Sequence, residues 1–282
     1  MNKVKRPILV LSFVVSALVF GAWPMAALAA TAPRIGNAVN FAVLGSSTVT
    51  NTGSTVVNGY LGVSPGSAVT GFPPGVINGQ LHKTDAVALA ARNSAVTAYN
   101  DLGSWGPTQN LTGQDLGGKN LIPGVYTFSS SAQLTGALTL RGNGIYIFQI
   151  GSTLTTASNS LVSLTQGAQG CGVYWRVGSS ATLGTGTHLV GTIIAVASIT
   201  MNTGATLLPG RALARGGAVT LDTNQITVPS GNCTAVGINT VAPTGGGPAP
   251  TSPWSVLVLL AGVISLAGGV WYALRRRTRV AI

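Results

Sequence analysis

One short pattern returns along this chain at a near-constant interval. Ala181-Thr182-Leu183-Gly184-Thr185 is echoed by Ile199-Thr200-Met201-Asn202-Thr203 and again by Val219-Thr220-Leu221-Asp222-Thr223, at spacings of 18 and then 20 residues. Between them, Gly191-Thr192-Ile193-Ile194-Ala195 returns 19 residues later as Gly210-Arg211-Ala212-Leu213-Ala214. A period near 20 residues holding several short strands predicts a β-solenoid, because one such coil cannot bury its apolar side alone and must stack on its neighbours. A β-sandwich also has evenly spaced strands, but it does not require the same polar residue at the same phase. In a solenoid, equivalent positions stack about 4.8 Å apart. Leu183, Met201 and Leu221 then point inward, and Thr182, Thr200 and Thr220, on the opposite side of the pleat, form an outward ladder.

The residues around these repeats read the same way. Short runs of Val, Ile, Leu and Thr are punctuated by Gly, Asn and Pro, the pattern of strands joined by turns. One segment departs from it. Thr84-Asp85 can cap a helix over about residues 84–102, in which Val87, Ala91, Ala95, Ala98 or Tyr99, and Leu102 recur every three to four residues, with Gly103 as the stop. Alanine on the apolar face suits a helix lying very close to a flat neighbour.

Both ends carry membrane signals. Lys3, Lys5 and Arg6 precede an apolar run over residues 8–20 and the small residues Ala27-Leu28-Ala29-Ala30, which together predict a secretory signal peptide over residues 1–30. Residues 254–274 contain no charge and are followed by Arg275, Arg276, Arg277 and Arg279. At about 1.5 Å per residue this stretch spans roughly 30 Å, the thickness of a bilayer core. Trp254, Trp271 and Tyr272 near its ends and the arginines beyond it predict a transmembrane helix with a cytoplasmic basic tail, residues 275–282. Residues 241–253, rich in Pro, Gly and Thr, predict an extended spacer. The body, residues 31–240, is then exported and held at the outer surface of the cell membrane. Cys171 and Cys233 both lie in or beside that body, where one disulfide and two free thiols are both open.

The formal charge of +11 is misleading as a clue to partners. Of fifteen Lys and Arg, three lie in the signal and four in the tail, leaving eight against four Asp in residues 31–252, a net of only +4. Those eight (Arg34, Lys83, Arg92, Lys119, Arg141, Arg176, Arg211, Arg215) are scattered singly, with no run that could neutralise a row of phosphates, so nucleic acid is disfavoured as a partner. Catalysis is disfavoured as well. The body contains no Glu; Asp85, Asp101, Asp115 and Asp222 are its only acids, no two close in sequence, so the paired carboxylates of a glycan-cleaving β-helix are missing. His82 and His188 have no spacing that suggests a metal site or a triad. The expectation is a protein with no catalytic residues, metal or cofactor.

The ordered residues of the body resemble one family, the microbial ice-binding proteins. The resemblance runs from Asn40 to Pro229 and rests on Phe41-Ala42-Val43-Leu44-Gly45, Leu61-Gly62-Val63-Ser64-Pro65-Gly66, Thr70-Gly71-Phe72-Pro73-Pro74-Gly75, Ala98-Tyr99-Asn100-Asp101 and Asp115-Leu116-Gly117-Gly118. It continues through Pro123-Gly124-Val125-Tyr126, Ile147-Phe148-Gln149-Ile150-Gly151-Ser152 and Val177-Gly178-Ser179-Ser180-Ala181-Thr182-Leu183-Gly184, as far as Gly210-Arg211-Ala212-Leu213-Ala214. What the resemblance implies is a right-handed, discontinuous β-solenoid with one long α-helix packed alongside, and a flat solenoid face held against ice. Some members carry a loose Thr-Ala/Gly-x-Thr/Asn motif on that face. Thr52-Gly53-Ser54-Thr55, Thr156-Ala157-Ser158-Asn159 and Thr203-Gly204-Ala205-Thr206 match it, while Thr185-Gly186-Thr187-His188, Thr135-Gly136-Ala137-Leu138 and Thr223-Asn224-Gln225-Ile226 depart from it. Thr52, Thr55, Thr156, Asn159, Thr185, Thr187, Thr203, Thr206 and Thr223 are therefore the expected ice contacts.

Two readings of such a face remain. A rigid array of hydroxyls and methyls can order water into a lattice-like layer, many weak contacts adding up because the ordering entropy is already lost in the folded chain. An adhesin for polysaccharide or for another cell would use the same scaffold, but sugar binding favours exposed aromatics and amides. The body holds few aromatics, Trp105, Trp175, Tyr60, Tyr99, Tyr126, Tyr146 and Tyr174 among them, which favours an ice crystal surface over an extracellular glycan as the partner.

Overall fold

The computed structural model describes residues 33–230. The expected signal peptide, spacer, membrane helix, basic tail and Cys233 lie outside the described residues. Among those described, no helix is long and apolar enough to cross a membrane.

Short parallel strands wind into a three-walled stack. One wall runs, in spatial order, through Leu81–Lys83, Tyr60–Val63, Phe41–Gly45, the ends of Thr206–Ala214 and His188–Ala195, then Val173–Val177, Tyr146–Ile150, Gly124–Phe128 and Gln109–Asn110. A second wall is the seven-stranded sheet Ala132–Leu134, Leu154–Thr156, Ala181–Leu183, Ile199–Met201, Val219–Asp222, Thr48–Thr52 and Ala68–Thr70. The third is built from Asn120–Leu121, Ala137–Arg141, Leu161–Thr165, the starts of His188–Ala195 and Thr206–Ala214, and then Gln225–Thr227, Val56–Asn58 and Val76–Ile77. Every strand pairing among the described residues is parallel, as coils of one winding sense require.

Spatial order does not follow chain order. Phe41–Gly45 lies against the last long strand, Val43 opposite Ala212, so the first coils of the chain stack beyond its final one. The strand Leu81–Lys83 ends at one extremity, and the chain resumes with Gln109–Asn110 at the other. Helix α1, Ala86–Ser104, makes the crossing. Its 19 residues measure about 28 Å, close to six strand spacings of about 4.8 Å.

The helix is capped as expected, with the Asp85 carboxylate accepting the Ala88 N–H at 2.7 Å. Its buried face is Ala88, Ala91, Ala95, Ala98, Tyr99 and Leu102, packed on Phe41, Leu44, Val125, Ile147, Tyr174, Ile194 and Leu213. Val87, expected inside, is exposed, one residue out of phase with Ala88. Gly103 does not stop the helix, which runs on to Ser104. Gly103 is instead a point of close approach, since a Cβ there would sit 2.7 Å from Arg176 Nε. Polar latches fix the helix to the sheet: Gln149 Nε2 donates to the carbonyls of Leu102 and Trp105 at 2.8 and 2.9 Å, satisfying acceptors that a helix C-terminus leaves open.

Inside the stack, apolar positions form continuous rows. Tyr126, Phe148 and Trp175 stack ring on ring at one end, with centroids 5.5 and 4.1 Å apart, and Ile193, Ala212, Val43 and Leu61 continue the row. Trp175 is fully buried and its indole N–H donates to the Val190 carbonyl at 2.9 Å. This core keeps the walls rigid, each buried Leu- or Val-sized side chain contributing about 1.5–3 kcal/mol.

Candidate functional site

The seven-stranded wall carries a row of threonines. Strand pairing sets Gln133 against Thr155, Thr155 against Thr182, Thr182 against Thr200, Thr200 against Thr220, Thr220 against Thr50 and Thr50 against Thr70. Six of the seven strands thus present threonine at one position, on the outer side of the pleat. Each is flanked by an inward residue, in order Leu154, Ala181, Ile199, Val219, Val49 and Val69, so burial of the alternate positions forces these hydroxyls and methyls outward. Two residues earlier along the strands runs a second row of small side chains: Ser131, Thr153, Ser180, Ser198, Ala218 and Thr48. Its members hold one another. Thr153 Oγ1 donates to Ser131 Oγ at 2.8 Å, and Ser198 Oγ accepts the Ala218 N–H at 3.3 Å. In the main row, Thr50 and Thr220 hydroxyls lie 3.4 Å apart. The expected ladder Thr182, Thr200 and Thr220 is present in register, and it extends to Thr155 on one side and to Thr50 and Thr70 on the other.

The motif residues are not one array. Thr52, at the end of its wall strand and opposite Asp222, and Asn159, Thr185, Thr203 and Thr223, in the turns that follow the wall, are exposed. Thr203 Oγ1 and Thr223 Oγ1 both donate to the Asp222 carboxylate, so this edge is bound together by hydrogen bonds. Thr55, Thr156 and Thr187, by contrast, are buried, which corrects their expected role as contacts. Thr156 follows Thr155 and so takes the inward phase occupied by Leu183 in the next coil; its hydroxyl lies 2.7 Å from Thr187 Oγ1 and accepts the Gly184 N–H at 2.9 Å. Thr55 Oγ1 accepts the Asn224 N–H at 3.0 Å. Thr206 belongs to the third wall, paired with His188 and Gln225. The motif mixes these environments because the turns need a left-handed residue at one point, which Gly186 (φ 66°) and Gly204 (φ 70°) supply, while Asn159 (φ 58°) and Thr223 (φ 54°) adopt it with side chains.

The threonine row contains no titratable group. Asp115 lies past its end, bridged to Gln133, and Asp222 along its edge. Burial would raise the Asp115 carboxyl, but N–H groups of Gly117 and Thr135, at 2.7 and 2.9 Å, outweigh it and hold the group below the ordinary aspartate value. The four acids remain apart. Asp85 caps α1, Asp101 is exposed on it, and no group of three His, Cys, Asp or Glu among the described residues could hold a metal ion.

The model of the ice-binding-like family matches residues 43–227. The chain belongs to the ice-binding-like family. An ice-binding protein of Nostoc sp. is 52% identical over 220 residues, covering 77% of this chain and 81% of the relative. Among solved structures, this ice-binding-like chain is similar to the ice-binding protein of the Antarctic ascomycete Antarctomyces psychrotrophicus, with TM-score 0.68, 43% identity, and 71% of this chain and 100% of that one covered. It is also similar to a domain of Shewanella frigidimarina ice-binding protein 1, with TM-score 0.65, 29% identity, and 72% and 100% covered.

Proposed function

We propose that this chain adsorbs to ice through the threonine wall. The observation that carries the reading is the unbroken row Thr155, Thr182, Thr200, Thr220, Thr50 and Thr70, six side chains in register on one parallel sheet with the strand repeat of about 4.8 Å between them. The relatives named as ice-binding proteins support it. A face of this kind needs order rather than a reactive group, so the reading requires no catalytic residue, cofactor or metal. Thr52, Asn159, Thr185, Thr203 and Thr223 serve as its rim.

The sequence at the two ends supports an exported body held at the outer membrane face by residues 254–274, with the basic tail inside. A tethered copy suits attachment of a cell to ice or protection of its surface better than lowering the freezing point of a medium. A Cys171–Cys233 disulfide in that oxidising setting would tie the chain beyond Ser230 back to the loop at Gly170–Gly172.

The experiment is adsorption of the fluorescently labelled, purified full chain to a single ice crystal, with shaping and thermal hysteresis read on the same sample. Plane-specific adsorption is expected. A folded chain that neither coats nor shapes ice ends the reading and hands the face to a glycan-binding adhesin.

A further inference from the structure

Three of the singly scattered cations meet in space. Arg176, on the strand Val173–Val177, lies with its guanidinium carbon 4.0 Å from the ring centre of Tyr99 on α1. The guanidinium carbon of Arg215, just past Thr206–Ala214, lies 4.3 Å from the same ring. Arg92, two turns earlier on α1, donates from Nε to the Arg215 carbonyl and to Ser46 Oγ, both at 3.3 Å. Arg176 Nε donates to the Tyr99 carbonyl at 3.0 Å. No carboxylate pairs with any of the three; the single ion pair among the described residues is His82 with Asp85. A second observation is independent of the charge count. Arg215 Nε is buried and has no acceptor. A buried guanidinium N–H without a partner is costly and uncommon, and three like charges brought this close repel unless something neutralises them. Stacking on Tyr99 offsets part of that cost.

We propose that the arginine cluster where α1 meets the ends of the strands beneath it, formed by Arg92, Tyr99, Arg176, Arg215 and Ser46, binds an oxyanion. The ligand is a phosphate, sulfate or carboxylate group, free or carried on an acidic glycan, because the planar guanidinium fork matches these groups and an ammonium does not. Burial lowers the affinity of Arg215 for its proton, Tyr99 raises it, and the charges of Arg176 and Arg92 lower it again, the environment expected of cations that lack a counter-charge. The arginine cluster lies on the helix-covered wall and the threonines lie on another, so ice and an anion can be held at once.

The test titrates the purified full chain at low ionic strength with inorganic phosphate and, separately, with polygalacturonate at matched charge, reading heat of binding and melting temperature. Saturable binding that weakens as sodium chloride rises is expected, with affinity reduced at least tenfold in Arg92→Gln and in Arg215→Gln. Arg141→Gln, on the third wall, should bind as wild type, and ice adsorption should be unchanged in all three. Affinity for polygalacturonate well above that for phosphate identifies an acidic polymer; equal affinity identifies the free ion. The proposal is overturned if neither probe binds saturably, or if both arginine variants bind as tightly as wild type. Should Arg215→Gln fail to fold, Arg92→Gln and the wild-type titration decide the matter.

Discussion

Thr200 sits on the fourth of the seven strands of the threonine wall, with three strands on either side. Replacing it by Tyr stands an aromatic ring at the centre of a plane that must approach ice evenly. The wall can then meet a flat crystal only by tilting about the ring, which frees about half of the six threonines. At about 1 kcal/mol for each lost polar contact, three such losses amount to about 3 kcal/mol, or roughly two orders of magnitude in affinity. Folding should hardly change. No side-chain hydrogen bond of Thr200 is broken, Tyr and Thr are both favoured in strands, and an outward substitution of this sort moves stability by about 0.5 kcal/mol or less, within about 2 °C in melting temperature for a domain this size. Ice-plane affinity and thermal hysteresis of Thr200→Tyr beside wild type, with thermal melts as control, measure both quantities. Ser163→Tyr on the third wall, where Ser163 pairs with Thr139, supplies the geometric control. Undiminished ice affinity in Thr200→Tyr would refute the reasoning, and loss of affinity in Ser163→Tyr instead would move the site to the third wall.

Three further outcomes are expected. Thr156→Val leaves the buried Gly184 N–H without its acceptor, while the Thr187 hydroxyl keeps its bond to the Ala157 carbonyl, so it should cost about 1–3 kcal/mol in chemical denaturation while the folded protein still adsorbs to ice; a neutral effect on stability would show that the buried hydroxyl is not a fastener. The Ala88 N–H, and after it His82, hold the Asp85 carboxyl below its ordinary value of 3.8, so its contribution is full above that value and lost as pH falls through the lowered one. Amide exchange should show the first turn of α1 losing protection in acid ahead of its last turn, whereas ice affinity near neutral pH should stay flat because the threonine row has nothing to titrate. Protease added to intact cells should remove the body and leave residues 275–282 protected, and loss of that tail would reverse the proposed orientation.

The repeat at residues 181–223 was enough to read a parallel solenoid, its inward rows and the outward phase of Thr182, Thr200 and Thr220, because an alternating pattern of period two states which side of a strand faces a core. The helix was legible from its cap and its alanines for the same local reason. Its end was not, since Gly103 is there to let Arg176 approach, a demand made from another part of the chain. The motif search failed at Thr55, Thr156 and Thr187 because a four-residue pattern does not say which member turns inward at a corner. Thr50 could be joined to Thr220, 170 residues away, only by the stacking of the first coils upon the last. In the same way Arg92, Arg176 and Arg215, isolated along the chain, become one cluster only when α1 lies against the stack. Periodicity and propensity act between near neighbours and are therefore written in the sequence, whereas which coil stacks on which is decided by burial summed over the whole stack, and only the tertiary structure displays it.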